Sequence, residues 1–448
     1  MHSRLVFFGL LFVLLPDGRH FIPLPSSRSS LLHSPSADFL SPHTPSLSSH
    51  SPSHLKIHTH QYLKAASPPA ATLRVVFTGG GTGGHIYPAI AIAEAIKDAS
   101  PDAEILFIGS DAGLEAAAVP SAGFTLSTIP PARPSRPLLS PSNLLLPFRL
   151  ILAVAASSRI LRQFRPLVVV GTGGYVAAPV CLAAALSGIK IVIQEQNSHP
   201  GLVNRLAAPC AETIFVAFNA CVKHFDRKKC LVYGNPVRVA LRRYVSKAVA
   251  RSHFFPKAGP KSGEDKAQVV LVLGGSCGAE AINIAVLNMY YEMLLQHKNR
   301  LIIWQTGADG FNEMESLVKV NRRLHLTPFL HEMDLAYAAA DVVVSRSGAM
   351  TCTEILTTGK PSILIPLPNA ADDHQTKNAY IMADIAGSKV LTEDELDSSS
   401  LEEAIDDILG NESLMAEMSE RALSAARPDA ASDIAQCILS LVNPSSSK

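Results

Sequence analysis

The sequence predicts an α/β protein whose two parallel-sheet halves face each other across a cleft, and three observations predict it. From Leu73 onward, apolar runs of four to six Val, Ile and Leu residues alternate with longer helical patterns, as strands buried on both faces require. The pattern restarts after a polar, Lys-rich gap near residues 248–266. Each half also opens with a strand that empties into glycines, "RVVFTGGGTGG" from Arg74 and "QVVLVLGGSCG" from Gln268. Such halves are Rossmann-like, and ligands of open α/β sheets bind beyond the carboxyl ends of the strands.

The first half is expected over residues 73–236. "RVVFTG" opens it, a helix follows near Pro88–Ala99, and "EILFIGS", "LVVVGTGG", "IKIVIQEQ", "TIFVAF" and "LVYGNP" supply further strands. "GNPVR" (Gly234–Arg238) is the expected hinge, because an Asn-Pro step disfavours continuing a helix or a strand. The second half, residues 237–427, takes "QVVLVLGG", "LIIWQTG", "DVVVSRSG" and "PSILIPLP" as strands. A last apolar helix over residues 428–445 is expected to complete the first half.

Composition excludes several function classes. Hydrophobic residues make up 47% of the 448, enough for sizeable cores, and 39 basic against 38 acidic residues argue against nucleic-acid binding. Seven cysteines lack CxxC or Cys/His spacing, which predicts reduced thiols and no zinc site. Residues 1–72 are rich in Ser, Pro and His, with only Asp17 and Asp38 as acids. That leader predicts plastid or mitochondrial targeting in preference to secretion, with a plastid as the expected location. "LVFFGLLFVLL" (Leu5–Leu15) has the length of a secretory core, but no small-residue cleavage site follows closely. Read residue by residue, no apolar run reaches the roughly 18–20 residues that span a bilayer, so membrane contact is expected to be peripheral.

The chemistry-bearing residues cluster at strand ends. In "GGGTGGHIYPA" the glycines suit either a tight strand-to-helix turn or the close approach of backbone amides to a ligand. No Lys-Ser/Thr follows, which excludes a Walker loop. A dinucleotide reading would rest on Asp111, which comes only after an intervening Gly-Ser. His85 ends the glycine run at a helix N-terminus, where the dipole disfavours imidazolium, so a neutral proton acceptor fits. "QEQNSHPGLVNR" puts Glu195, Gln196 and Asn197 at a strand end, as a solvated loop or as a pocket for a hydroxyl-rich acceptor. In the second half, Gly274-Gly275-Ser276 suits a phosphate. "SRSGAMTCTE" places Ser347 and Gly348 at a helix start, with Arg346 as a fixed charge. Glu354 suits either a capping box with Thr351 or paired sugar hydroxyls. "DDHQTKNA" gathers Asp373, His374, Gln375 and Asn378 without metal spacing.

Together "GGGTGGHIYPA", "GTGGYVAAP", "QEQNSHPGLVNR", "GNPVR", "GGSCGA", "DVVVSRSGAMTCTEI" and "DDHQTKNA", in that order, resemble the MurG family of glycosyltransferases. The resemblance covers nearly everything from Leu73 onward. It implies a GT-B fold, UDP-N-acetylglucosamine as donor, and a polyprenyl-diphosphate-linked MurNAc-pentapeptide as acceptor. It further implies transfer to the acceptor 4-hydroxyl with inversion, and no obligatory metal or organic cofactor. By motif matching, Arg238, Ser276, Phe329, Leu330, Arg346, Ser347, Gly348, Glu354, His374 and Gln375 would serve the donor. Thr82, Gly83, Gly84, Tyr175 and Asn197 would line the acceptor pocket, with His85 and Glu195 as the catalytic pair. Cys277 departs from the Gln common in the family, which bears on donor contacts.

A lipid-linked acceptor requires a membrane surface. "PARPSRPLLSPSNLLLPFRLILAVAA" offers Leu138, Leu139, Leu144, Leu145, Leu146, Phe148 and Ile151 beside Arg133, Arg136 and Arg149, either as an interfacial patch or as a buried core helix. The competing functions are a plastid galactolipid synthase using UDP-galactose, a nicotinamide oxidoreductase, and a non-catalytic UDP-sugar-binding protein.

Overall fold

The first sheet takes its strands from the apolar runs and from one short polar segment. The strands are β1 (Arg74–Gly79), β2 (Glu104–Gly109), β3 (Thr125–Thr128), β4 (Val168–Gly173), β5 (Lys190–Glu195), β6 (Thr213–Val216) and β7 (Cys230–Val232). All pair in parallel, in the order β3-β2-β1-β4-β5-β6-β7. The helices α1 (Gly83–Ala99), α2 (Glu115–Ser121), α3 (Leu146–Phe164), α4 (Ala177–Leu186) and α5 (Leu202–Ala207) connect them. The structure is a computed structural model that describes residues 72–135, 140–237, 241, 244–256, 267–275, 277–368 and 370–442. The leader (Thr72 apart), Arg136, Leu138, Leu139, Arg238 and Ser276 therefore lie outside the described residues.

The second lobe follows α6 (Lys247–Phe254). Its strands and helices alternate as β8 (Gln268–Leu273), α7 (Glu280–Gln296), β9 (Arg300–Gln305), α8 (Phe311–Leu317), β10 (Leu324–Thr327), α9 (Met333–Ala339), β11 (Val342–Ser345) and α10 (Ala349–Thr358). Then come β12 (Ser362–Leu364), α11 (His374–Ala386), β13 (Lys389–Val390), α12 (Ser398–Leu409), α13 (Glu412–Ala425) and α14 (Ala430–Val442). Its sheet is parallel too, in the order β10-β9-β8-β11-β12-β13.

Burial explains which strands the sequence reveals. Every residue of β4 and β9 is buried, and each carries a continuous apolar run, Val168–Val170 and Leu301–Trp304, that the sequence reveals. The strands the sequence reading lacks, β3, β10 and β13, are sheet edges of two to four residues, where one flank is solvated and "TLST" or "LHLT" is tolerated. Helix α1 begins at Gly83, ahead of the expected Pro88, and carries that proline inside it.

Helix α14 crosses back to α1. Its Ile434 and Ile438 are fully buried with Ile86, Ile90 and Ile92 of α1, and the two isoleucines contribute about 3–6 kcal/mol. The second lobe's own cores gather around Val269, Leu271 and Tyr337 on one face of its sheet and Val270, Val272 and Trp304 on the other.

One expectation is corrected. The helical stretch Pro141–Phe164 is 24 residues long and holds an 18-residue window of mean hydropathy 1.8, 17% of it buried, so by length and composition it reaches a bilayer's span. Isolated arginines and serines hide this when the run is read residue by residue. The stretch nonetheless packs as a lobe helix: α3 buries Ala153, Ser157 and Leu161, and lies against α4. Its other face leaves Leu144, Leu145, Phe148, Ile151 and Leu152 exposed.

Candidate functional site

At the tip of β1 the glycines are cleared mainly for this protein's own groups. A Cβ on Gly80 would lie 2.5 Å from the Glu115 carboxylate, and one on Gly174 would lie 2.2 Å from the Gly80 carbonyl. The two glycine loops thus pack backbone on backbone, a distance no side chain permits. Glu115 is fully buried. It accepts the Gly81 amide at 3.1 Å, the Ser110 amide at 3.1 Å and the Ser110 hydroxyl at 2.6 Å. Burial alone would raise its pKa; those hydrogen bonds outweigh burial and hold it below the ordinary carboxylate value. Tyr175 ties the second loop in, donating its hydroxyl to Ser110 Oγ at 3.3 Å.

His85 sits in the first turn of α1, its Nδ1 2.9 Å from Thr82 Oγ1. Burial, and next the charge of His374 in the second lobe, lower its pKa from 6.5 to about 4, against the Gly80 carbonyl and Glu115. Burial, more than the helix N-terminus to which the sequence pointed, thus favours the neutral ring at physiological pH.

Glu195, at the end of β5, is buried, and burial raises its pKa. Its Oε1 accepts the Asn197 amide at 3.0 Å and Asn197 Nδ2 at 3.3 Å. Oε2 accepts the Gly201 amide at 3.0 Å and Asn204 Nδ2 at 2.8 Å. Four donors on one carboxylate make it the organiser of the 195–204 loop. Asn204, which sequence reasoning missed, looked like one more polar residue of a short helix.

On the second lobe, Gly348 is the N-cap of α10 and lacks a side-chain cap, so the capping-box reading of Thr351 and Glu354 is corrected. A Cβ on Gly348 would meet nothing nearer than Thr351 Oγ1 at 4.0 Å, which leaves the helix mouth open. Glu354 instead accepts the hydroxyl of buried Tyr337 at 3.0 Å. Burial, and next the neighbouring Glu354, push the Tyr337 pKa up, so that tyrosine stays a donor.

Arg346, expected on the donor side, has partners within its own lobe. It donates to the Ile365 and Pro366 carbonyls at 3.3 Å and is ion-paired with Glu393, so its charge is matched within the lobe. Ser347 is fully buried and donates to the Gln375 carbonyl at 2.8 Å. Gln375 Oε1 accepts the Leu367 amide at 3.0 Å. His374 begins α11 after Asp372 and Asp373, both at positive φ (55° and 54°). Leu330 is buried and Phe329 part-exposed, 5.1 Å from the His331 ring between centroids. Cys277 is exposed beside the β8 glycines.

A buried polar seam joins the lobes. Asn378 on α11 is fully buried. It accepts the Ser198 amide at 3.2 Å and hydroxyl at 2.8 Å, and donates to the Ser347 carbonyl at 3.2 Å and Asn197 Oδ1 at 3.4 Å. Asn235 of the expected hinge accepts Gln194 Nε2 at 2.9 Å and donates to the Gln196 carbonyl at 2.9 Å and Thr353 Oγ1 at 3.0 Å. The structure thus brings Asn197, Ser347 and Gln375 into one hydrogen-bonded network, with Glu195 behind Asn197. Among the described residues, no three His, Cys, Asp or Glu side chains gather as metal ligands.

Comparisons with known proteins match this arrangement. The glycosyltransferase family 28 N-terminal domain matches residues 75–216, and the corresponding C-terminal domain matches residues 269–434. A Salinibacter ruber protein is 42% identical over 369 residues, covering 82% of this chain and 97% of the relative. Its name is UDP-N-acetylglucosamine–N-acetylmuramyl-(pentapeptide) pyrophosphoryl-undecaprenol N-acetylglucosamine transferase. A protein of the same name from Caldanaerobacter subterraneus is 38% identical over 82% of this chain and 99% of its own length. The crystal structure of Acinetobacter baumannii MurG superposes with a TM-score of 0.62 at 27% identity, over 82% of this chain and 99% of that one. S. aureus MnaA with UDP gives a TM-score of 0.61 at 13% identity over 84% and 99%, a likeness of fold.

Proposed function

The chain belongs to the MurG family of glycosyltransferases, and from that premise we propose that it moves N-acetylglucosamine from UDP-N-acetylglucosamine to the 4-hydroxyl of lipid-linked MurNAc-pentapeptide. The observation that carries this reading is the buried seam in which Asn197 and Ser198, from the loop after β5, hydrogen-bond Asn378 of the second lobe, together with His85, whose burial holds its pKa low.

In this reading the acceptor hydroxyl attacks the anomeric carbon from the side opposite UDP. The C–O bond to the diphosphate breaks as the new glycosidic bond forms, which inverts the centre. His85 takes the hydroxyl proton. In the tautomer whose Nδ1–H donates to Thr82 Oγ1, Nε2 is the basic atom. A pKa of about 4 keeps the free ring unprotonated, and the negative charge gathering on the departing diphosphate raises its basicity at the moment of transfer. Glu195 acts by positioning Asn197 and the loop before α5. On the donor side, the open N-terminus of α10 at Gly348 suits the diphosphate. Glu354, oriented by Tyr337, suits the ribose hydroxyls, and His374 and Gln375 suit the sugar. Arg238 and Ser276 keep their proposed diphosphate roles by motif alone.

The reading needs no resident metal, because amide dipoles serve the leaving group. The exposed face of α3, with Phe148 and Ile151 beside Arg149, suits peripheral contact with a membrane, and the acid-poor leader suits delivery to a plastid. The testing experiment is steady-state turnover by His85→Ala. Loss of a proton-transfer group should lower kcat about 10²–10⁴-fold with UDP affinity unchanged. Wild-type kcat in that variant would remove His85 from the mechanism.

A further inference from the structure

Resting on that acceptor assignment, we propose that the diphosphate of the prenyl-linked acceptor is held by Arg133 and Arg149 in a cavity of the first lobe, and not by the glycine loop after β1. That loop is poorly suited to a second anion. The Gly81 amide, which would otherwise face a phosphate, is already given to Glu115, and both donors of Ser110 go to the same carboxylate. Glu115 is buried, and those hydrogen bonds favour its ionised form, so a negative charge lies directly under the loop. Its field reaches His85 as well.

Arg133, Arg149, Ser135, Pro131, Pro134 and Tyr175 line a cavity of about 780 Å³, within the range of small-molecule sites. Three buried or part-buried arginines are matched internally: Arg251 pairs with Asp341, Arg300 with Asp406 and Arg346 with Glu393. Among the described residues neither Arg133 nor Arg149 pairs with a carboxylate, and Arg133 lies over the Tyr175 ring at 5.9 Å. The cavity wall is preorganised. Asn143 accepts the Ser135 amide at 2.8 Å and donates to the Ser135 carbonyl at 2.8 Å, pinning that loop to the start of the apolar helical stretch.

Two neighbours give the ligand its shape. On one side Tyr175 separates the cavity from the glycine loop, since a Cβ on Gly81 would touch its ring at 3.2 Å. The Tyr175 ring thus has the cavity on one face and the glycine loop close by, so a sugar attached to a diphosphate in the cavity would lie along Tyr175. On the other side Phe148, next to Arg149, begins the exposed apolar face of α3, which suits a prenyl chain. Anionic head and apolar tail are matched in order.

The test measures binding directly, using a short-chain prenyl diphosphate and calorimetry in buffer without vesicles. Wild-type protein is compared with Arg133→Ala, Arg149→Ala and the double variant. Each loss of a charged hydrogen-bonding partner should weaken binding about tenfold to a hundredfold, with UDP affinity and melting temperature unchanged. Acceptor KM should rise in parallel, at constant kcat. Unchanged binding of the short-chain diphosphate would overturn the proposal. So would a defect that appears only when anionic vesicles are present, which would assign both guanidinium groups to the bilayer surface. Because binding is read without turnover, the outcome does not depend on whether N-acetylglucosamine is the group transferred.

Discussion

Replacing Asn378 with alanine tests the seam between the lobes. The change removes the acceptor of the Ser198 amide and hydroxyl and the donor to the Ser347 carbonyl, at a position with no solvent access. The Ser198 hydroxyl can rotate to another partner. The amide and the carbonyl cannot, and each buried unsatisfied group costs about 1–3 kcal/mol. Destabilisation is therefore about 2–6 kcal/mol. At roughly 2–4 °C per kcal/mol for units of a few hundred residues, melting should fall by roughly 4–24 °C. Differential scanning calorimetry reads the shift, and a double-mutant cycle with Ser198→Ala isolates the shared bond. The pair should be coupled by about 1 kcal/mol. A melting temperature within 1 °C of wild type, together with additive single effects, would refute the claim that this seam holds the lobes in register.

The remaining predictions concern pH, the bilayer and metal. His85 is lowered to about 4 in the folded protein against 6.5 unfolded, so between those values the unfolded chain binds more protons and stability falls as pH falls through that window. His85→Gln should flatten that part of the stability profile, and an unchanged slope would contradict the assignment. For the same reason kcat/KM should show no acidic limb near pH 6.5 from this group. Phe148→Ser with Ile151→Ser, both exposed, should reduce co-sedimentation with anionic vesicles while leaving the melting temperature within about 1 °C. Retained sedimentation would exclude α3 as the contact. Prolonged EDTA treatment should leave turnover intact; loss restored by a divalent cation would overturn the metal-free reading.

The strands bearing site loops were legible because burial on both faces forces an apolar run, as in "VVVGTG" and "QVVLVL". Edge strands such as β3 and β13 escape because half their environment is water. His85 stood out by ending a glycine run, and the structure gives that run a purpose the pattern could not express. The nearest occupant is Glu115, a carboxylate 34 residues away in sequence from Gly81. Arg346 shows the converse. Its position near Gly348 suggested a fixed charge beside the helix start, and Glu393, 47 residues on, is its ion-pair partner. Long-range pairing decides whether a charged residue serves a ligand or the fold, and local spacing carries no trace of it. Asn378 and Asn235 were visible only as polar residues in promising loops; their burial at the lobe junction makes them structural ties.

The most direct test is product analysis of purified protein incubated with UDP-N-acetylglucosamine and lipid-linked MurNAc-pentapeptide. The account predicts release of UDP and an acceptor heavier by one N-acetylhexosamine, joined through a β linkage to the 4-hydroxyl of MurNAc. An unmodified acceptor, or hexose transfer from UDP-galactose to diacylglycerol in its place, would contradict it.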